Sequence, residues 1–294
     1  MRRRDVLVMM AAAAAGGAAG TAPGPLARAI SGSGEAIPAV GLGTWQTFDV
    51  DVMRARAPLR DVLRRFVELG GRVVDSSPMY GTAESVVGDL AVELGVRDRL
   101  FVATKVWTSG RAAGIAQMER SVQRLRGPRV DLLQVHNLVD WATHLKTLRA
   151  WKEAGRVRYI GVTHYTASAY DELERVMKTE PIDFVQLNYS PLEPDAERRL
   201  LPLARDRRVA VLANRPFAEG ALFARVRGKP VPAWAAEWEC DSWAQLFLKW
   251  ILAHPAVTCV IPATSRLQHL EDNMKAGVGR LPDAAARDKI AALL

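Results

Sequence analysis

The chain has 294 residues, of which 49% are hydrophobic and 24% are charged, so it can bury a substantial core as one large domain or two ordinary ones. Its net charge of +8 is scattered along the chain without a basic stripe, which argues against nucleic-acid binding. The longest apolar run is too short to span a bilayer, so stable membrane insertion is not expected.

The N-terminal segment has the features of a cleavable export signal. Residues 1–10 carry three consecutive arginines before a short apolar run, and an Ala/Gly-rich tail follows. Ala27-Arg28-Ala29 supplies a cleavage site of the small-x-small type. We therefore predict a signal peptide over residues 1–29 and one folded domain over residues 30–294.

The arginine pair in that segment indicates the class of signal. Arg3-Arg4 is followed by Asp-Val-Leu, which resembles a twin-arginine export motif. The alternative is an ordinary secretory signal whose arginines only supply positive charge, but the mildly apolar, alanine-rich run favours the twin-arginine type. Such signals suit proteins that fold first, so we expect cytoplasmic folding, contact with the export machinery through this segment, and a periplasmic location.

Short apolar runs then alternate with amphipathic segments along the chain, as in a parallel sheet covered by helices. Eight such strand–helix units predict an α/β fold, a single (β/α)8 TIM barrel. A doubly wound open sheet competes, but Gly41-Leu-Gly43-Thr-Trp-Gln lacks the third glycine of a nucleotide-binding turn. The predicted strands cover residues 39–45, 72–75, 100–105, 131–136, 158–163, 184–189, 209–213 and 257–261, and helices are predicted near residues 57–69, 83–95, 111–125 and 282–294.

Polar side chains occur at or just after the ends of three successive predicted strands. They are Asp75, Tyr80, Lys105 and His136. In a parallel sheet these strand ends converge on one face, where active sites are built. A carboxylate, a phenol, an ammonium and an imidazole that meet there can move a proton onto an oxygen. The alternative is a purely structural set: a buried ion pair, a core tyrosine and a histidine whose nitrogens are hydrogen-bonded. This explanation is favoured for any one of the residues alone but not for the four together.

The sequence around these residues resembles the signature of the aldo-keto reductase superfamily, from about residue 36 to residue 277. The matching motifs are Asp75-Ser-Ser-Pro-Met-Tyr80-Gly-Thr-Ala-Glu84, Lys105 in Ala-Thr-Lys-Val-Trp, and His136 in Leu-Leu-Gln-Val-His-Asn. The resemblance implies a (β/α)8 fold and hydride transfer from NADPH to a small-molecule aldehyde or ketone. It also implies that Tyr80 is the proton donor, assisted by Lys105 and His136, with Asp75 paired to Lys105.

Elementary electrostatics agrees with these roles. A lysine ammonium about 4 Å from the phenol should lower the pKa of Tyr80 by about one to three units. Lys105 needs a carboxylate such as Asp75 to stay charged in a closed pocket. His136 can donate a hydrogen bond to the oxygen on which negative charge develops.

The resemblance also places NADP(H) across the same face. Thr163-His164 and Gln186 match the family's positions for the cofactor amide, although the family usually has Ser-Asn where Thr-His stands. Thr44 and Trp45, at the end of the first predicted strand, are further candidates for cofactor contact.

The segment after the strand at residues 209–213 departs from the family. Better-known members have an aromatic residue there that stacks on the nicotinamide, and this chain has none at that place. Arg215 could stack through its guanidinium plane, or Phe217 could compensate. The alternative for Arg215 is an ordinary surface position.

The segment after the last strand resembles the family's site for the adenosine 2′-phosphate. Thr264 and Ser265 can donate to phosphate, Arg266 supplies charge, and Asn273 fits the position of an adenine contact. Arg266 favours NADP over NAD, and no metal ion is expected in this chemistry.

Substrate contacts are predicted from large apolar side chains near the strand ends, where they would line a pocket mouth: Trp45, Met79, Trp107 and Trp141. The two cysteines, Cys240 and Cys259, are interpreted as small core residues rather than a disulfide.

Two other functions remain open at this point. One is a nucleotide-binding sensor or accessory subunit that keeps the fold and turns over slowly. The other is an unrelated (β/α)8 lyase or isomerase that uses a Lys/His pair. Cofactor binding would distinguish the lyase or isomerase from the reductase and the sensor. Turnover of a generic aldehyde would distinguish the reductase from the sensor.

Overall fold

The computed structural model describes residues 24–50 and 53–294. Within them the strands, numbered in chain order, are β1 (Ala27–Ala29), β2 (Ala36–Pro38), β3 (Leu42–Gly43), β4 (Val73–Asp75), β5 (Phe101–Val106), β6 (Val130–His136), β7 (Val157–Thr163), β8 (Phe184–Asn188), β9 (Ala210–Asn214) and β10 (Val257–Val260). The helices are α1 (Met53–Glu68), α2 (Ala83–Glu93), α3 (Arg111–Arg124), α4 (Trp141–Glu153), α5 (Tyr170–Thr179), α6 (Leu200–Asp206), α7 (Ala221–Arg225), α8 (Trp243–Leu252), α9 (Leu267–Lys275) and α10 (Ala284–Ala291).

Strands β3 to β10 form one parallel sheet in chain order, and the sheet closes on itself. Parallel bridges join Val40 to Val260 and Gly43 to Ala263, so the first and last strands are neighbours. The Gly41 amide donates to the Val260 carbonyl at 2.8 Å within this seam. The predicted α/β fold with eight parallel strands is confirmed.

The paired glycines of the first strand serve this closure rather than a phosphate-binding turn. A Cβ atom on Gly41 would lie 2.9 Å from the Val73 carbonyl oxygen and 3.1 Å from the Ile261 side chain. Only a residue without a side chain allows the strand to approach its neighbours so closely. This agrees with the sequence analysis, in which the missing third glycine argued against an open nucleotide-binding sheet.

Two apolar regions stabilise the fold. The larger lies between the sheet and the surrounding helices. The smaller fills the inside of the barrel, where the rings of Phe101, Tyr159 and Phe184 pack with centroids 5.6 to 6.1 Å apart. Because this inner layer is packed, ligands can approach the polar strand ends only from the C-terminal face of the sheet.

The N-terminal boundary differs from the sequence prediction. Strand β1 pairs antiparallel with β2 across the N-terminal end of the barrel. The Arg28 guanidinium donates to the carbonyl of His254 at 3.0 Å and to those of Leu252 and Val257, and Ile30 is completely buried. Ala27–Ala29, which the sequence analysis assigned to the signal peptide, are therefore a strand of the fold in this structure. Arg3 and Arg4 lie outside the described residues.

The cysteines and the helices each show one further feature. Cys240 and Cys259 are both buried and free, as interpreted from the sequence. Among the helices in the described part of the chain, we find none with the length and apolar character needed to cross a membrane.

Candidate active site

A buried ion pair lies at the centre of the C-terminal face. Lys105, on β5, is completely buried, and its Nζ donates to Asp75 Oδ2 and to the Ser76 carbonyl, both at 2.7 Å. Burial by itself would lower the pKa of Lys105, but the adjacent Asp75 carboxylate and Tyr80 hydroxyl together outweigh it and hold the pKa above its ordinary value. Lys105 is therefore a permanent positive charge inside the barrel.

Tyr80 lies directly over this pair. Its ring centroid is 5.0 Å from Lys105 Nζ, and the rings of Tyr80 and His136 meet edge to face with centroids 5.9 Å apart. The turn that carries Tyr80 is fastened by Asp49, which accepts the Thr82 amide at 2.9 Å. Gly81 has a φ of +57° and packs against Asp49, so a side chain there would displace the turn.

The pKa of Tyr80 differs from the sequence expectation. Burial raises it, and the Lys105 charge, which lowers it, does not compensate because the Asp75 charge raises it as well. The net direction is upward, not downward, so that expectation was wrong. The phenol is consequently protonated at neutral pH and can act as a donor.

His136 ends β6 and is 6% exposed. Burial, the Lys105 charge and, to a smaller extent, His164 lower its pKa to about 2. The imidazole is therefore neutral at any pH at which the protein would work. Its Nδ1 lies 3.0 Å from the hydroxyl of Ser77, a residue that the sequence analysis did not single out although it stands between Asp75 and Tyr80.

A pair of hydrogen-bond donors lies next to these four groups, at the ends of β7 and β8. Thr163 donates to Gln186 Oε1 at 2.9 Å, and Gln186 Nε2 has no hydrogen-bond partner among the described residues. His164 Nδ1 accepts the amides of Tyr165 at 3.0 Å and Thr166 at 3.3 Å, so the proton of the neutral ring lies on Nε2. These donors suit the carbonyl oxygen of an amide.

The end of β9 holds a polar residue that the sequence analysis passed over. Asn214 is half-buried, and its Oδ1 lacks a hydrogen-bond partner within the described part of the chain. The signal was available, because Asn214 ends a strand just as Asp75 and His136 do. An amide oxygen in this position suits the NH₂ group of a carboxamide.

Arg215 and Phe217, the two proposed substitutes for the missing aromatic residue, are both engaged by protein groups. The Arg215 guanidinium lies 3.3 Å from Glu219, with its central carbon 5.8 Å from the Tyr165 ring centroid. Phe217 packs on Phe223 with ring centroids 4.9 Å apart. These contacts hold both side chains against the protein, although Arg215 Nε has no hydrogen-bond partner among the described residues.

The predicted phosphate segment forms the start of α9. Thr264 Oγ1 accepts the Arg266 amide at 3.1 Å, and Ser265 and Arg266 are exposed at the helix N-terminus. Asn273 is buried on the same helix. Exposed donors, a guanidinium and a helix N-terminus together suit a phosphate group.

Three of the predicted substrate residues are large apolar side chains that are exposed near the C-terminal strand ends. Trp45, Met79 and Trp107 are 40 to 42% exposed, which is unusual for such large apolar side chains. Trp141 does not join them, because its Nε1 donates to Glu172 at 2.7 Å and Arg175 covers its ring. It therefore packs α4 against α5.

Thr44 supports the site from below the surface. It is completely buried, and its hydroxyl contacts the Asp75 carbonyl and the Ser76 hydroxyl, both at 3.0 Å. It therefore helps to position the strand end that carries Asp75.

A parallel (β/α)8 barrel with a buried Lys–Asp pair, a phenol and a neutral imidazole at its C-terminal face defines an enzyme-like site for proton transfer to oxygen. The family model described as "Aldo/keto reductase family" matches residues 39–289. The chain belongs to that family.

Individual relatives agree with this assignment. The chain is 29% identical to a methylglyoxal reductase of Escherichia coli (strain K12), over 81% of this chain and 84% of the relative. It is 31% identical to an aldo-keto reductase of Mycobacterium sp. (strain JLS), over 82% and 83%. A solved aldo-keto reductase of Klebsiella pneumoniae, in complex with NADP and acetate, superimposes with a TM-score of 0.74 at 25% identity, over 89% of this chain and 93% of that one.

Proposed function

We propose that this protein is an oxidoreductase that uses NADPH to reduce an aldehyde or ketone, with Tyr80 as the proton donor. The observation that carries the proposal is the buried pair of Lys105 and Asp75 directly beneath Tyr80 and beside His136. Stability alone does not explain a buried charge next to a protonated phenol, because buried ion pairs contribute little to the stability of a fold.

The chain offers a consistent set of groups for the cofactor. Gln186 Nε2 and His164 would hold the carboxamide oxygen, and Asn214 Oδ1 its NH₂ group. At the other end, Ser265 and Arg266 would bind the 2′-phosphate at the start of α9. When bound, NADPH supplies the hydride for the reaction.

The protein's own groups then handle the proton. Reduction of a carbonyl places negative charge on its oxygen, and the Tyr80 hydroxyl gives its proton to that oxygen. The Lys105 charge stabilises the phenolate that remains, and Asp75 keeps Lys105 charged. His136, which is neutral, contributes a hydrogen bond but does not act as an acid.

The exposed apolar side chains of Trp45, Met79 and Trp107 support a substrate that carries an apolar group beside its carbonyl. Because several relatives are named methylglyoxal reductases, a substrate panel should contain methylglyoxal as well as 4-nitrobenzaldehyde and simple ketones.

The test is NADPH consumption by the purified protein with this panel. Tyr80→Phe should lower kcat/KM by at least about 10³ while NADPH affinity stays nearly intact, because only the proton donor is lost. Tyr159→Phe is the matched control, since it removes a tyrosine hydroxyl at the other end of the barrel. A Tyr80→Phe variant with more than a tenth of the wild-type kcat/KM would exclude Tyr80 as the donor.

We further propose that residues before β1 act as a twin-arginine export signal and that the protein works in the periplasm. Because Arg28 belongs to the fold, cleavage N-terminal to β1 is favoured over cleavage after Ala29. Mass spectrometry of protein recovered from the periplasm would give the mature N-terminus. Unchanged export of the variant with Arg3→Lys and Arg4→Lys would contradict the twin-arginine type.

A further inference from the structure

The three residues that begin with Asp75 hold both of the nitrogen groups in the active site. Asp75 and the Ser76 carbonyl accept hydrogen bonds from Lys105, and the Ser77 hydroxyl lies 3.0 Å from His136 Nδ1. Ser77 is completely buried. Its hydroxyl also accepts a long hydrogen bond, 3.4 Å, from the Met79 amide.

The hydrogen bond between Ser77 and His136 can be made in two ways. If Nδ1 carried the proton, it would donate to Ser77 Oγ, and the serine proton would then have no acceptor among the hydrogen bonds of the described residues. A buried hydroxyl that donates no hydrogen bond destabilises the fold, because nothing offsets the free energy of removing it from water. If Ser77 donates to Nδ1 instead, both groups are satisfied and the imidazole proton lies on Nε2.

We propose that Ser77 is a positioning residue that fixes His136 as the neutral tautomer with its proton on Nε2. In that form the ring, whose centroid lies 5.9 Å from that of Tyr80, offers an N–H donor for the substrate oxygen to which Tyr80 would give its proton. In the other tautomer a lone pair would face the oxygen and repel the developing negative charge.

The tautomer of His136 matters because the ring does not take up a second proton, which would make both nitrogens donors. Burial and the Lys105 charge lower the pKa of His136 to about 2, so the ring does not become an imidazolium that would donate from both nitrogens. Only the hydrogen bond to Nδ1 then decides whether Nε2 donates or accepts. The catalytic consequence of this inference rests on the proposed reductase function, whereas the tautomer itself does not.

The direct test is the imidazole ¹⁵N spectrum of the full chain labelled at histidine, with the His136 signals assigned by their loss in His136→Ala. The wild-type protein should show an unprotonated Nδ1 and a protonated Nε2. Ser77→Ala should shift the population towards Nδ1–H, and Ser77→Thr, which keeps the hydroxyl, should restore the wild-type spectrum. This readout needs no turnover, so it decides the proposal even if the protein reduces no carbonyl in the panel.

Kinetics provides the second test. Ser77→Ala should lower kcat/KM by about 10- to 100-fold with NADPH affinity unchanged, the scale expected when a buried hydrogen bond to a catalytic group is lost. The matched control is Ser121→Ala, which deletes another completely buried serine hydroxyl, on α3, and should keep its activity. Thermal melting confirms that each variant is folded.

Three results would overturn the proposal. The first is a wild-type spectrum with the proton on Nδ1. The second is a Ser77→Ala variant whose spectrum matches the wild type although its activity falls, which would make Ser77 merely structural. The third is a Ser77→Ala variant with a shifted tautomer but an undiminished kcat/KM, which would show that the tautomer does not matter for catalysis.

Discussion

The two ends of the barrel use buried polar groups differently. At the N-terminal end the groups satisfy one another: Arg158 donates to Asp131 at 2.7 Å and pairs with Glu35, and the Tyr159 hydroxyl contacts Glu35 at 2.7 Å. At the C-terminal end Gln186 Nε2 and Asn214 Oδ1 have no hydrogen-bond partner among the described residues. Buried polar groups without a protein partner are uncommon, and these two lie on neighbouring strands where the proposed cofactor amide would pair with them.

Charge follows the same division. Arg28 lies at the N-terminal end, where it donates to the carbonyls of three residues, and its role is to fasten the first strand to the barrel. Lys105 lies at the C-terminal end, where its single carboxylate partner leaves it free to act on Tyr80. The comparison predicts that mutations at the N-terminal end reduce stability alone, whereas mutations at the C-terminal end reduce activity.

The largest effect is expected for Lys105→Met, because it leaves the Asp75 carboxylate buried without a partner. It should lower the free energy of unfolding by about 3 to 5 kcal/mol and abolish reduction. Urea denaturation and NADPH consumption measure the two effects. Adding Asp75→Asn should recover part of the stability but none of the activity, and recovery of activity in the double variant would contradict the role of the charge.

Arg28→Ala tests the opposite end. Loss of its hydrogen bonds should lower the free energy of unfolding by about 2 to 3 kcal/mol and leave kcat/KM unchanged. Arg205→Ala, an exposed arginine nearby, is the control and should change neither quantity. If Arg28→Ala lowered kcat/KM at a temperature where it is fully folded, the division between the two ends would fail.

Arg266→Ala sharpens the comparison within the C-terminal end. It should weaken NADPH binding by about 1.5 to 3 kcal/mol, the scale of a charge-assisted hydrogen bond, and barely affect NADH. Fluorescence titration with both nucleotides measures the difference. Equal losses for NADPH and NADH would show that Arg266 does not contact the 2′-phosphate.

The last prediction concerns an effect that is spread over several pH units, the pH dependence of stability due to His136. Its pKa is about 2 in the folded protein and near 6.5 in an unfolded chain, so the unfolded state binds the additional proton between these values. Its contribution to stability is therefore complete above about pH 6.5 and is lost as the pH falls towards 2, with a slope approaching about 1.4 kcal/mol per pH unit.

The variant His136→Gln should flatten this slope in urea denaturation below pH 6.5, whereas the exposed control His269→Gln should not. A wild-type slope that equals that of His136→Gln would mean that His136 is not held neutral by burial. A rate profile with an inflection near pH 6.5 that disappears in His136→Gln would lead to the same conclusion.

The sequence by itself determined the barrel and the end of it at which the candidate active site lies. Alternating apolar and amphipathic segments report local periodicity, and Asp75, Lys105 and His136 lie at or next to the ends of strands that are neighbours in chain order. Because parallel strands align their C-terminal ends, convergence of these residues follows without knowledge of distant contacts.

Only the tertiary structure decided the remaining points, because each depends on residues far apart in the chain. Ala27-Arg28-Ala29 has the composition of a cleavage site, but contacts with residues 252–257 make it a strand of the fold. The pKa of Tyr80 rises because burial, which the sequence does not report, exceeds the effect of Lys105. Ser77 gains a role only because His136, 59 positions later, returns to within hydrogen-bonding distance of it.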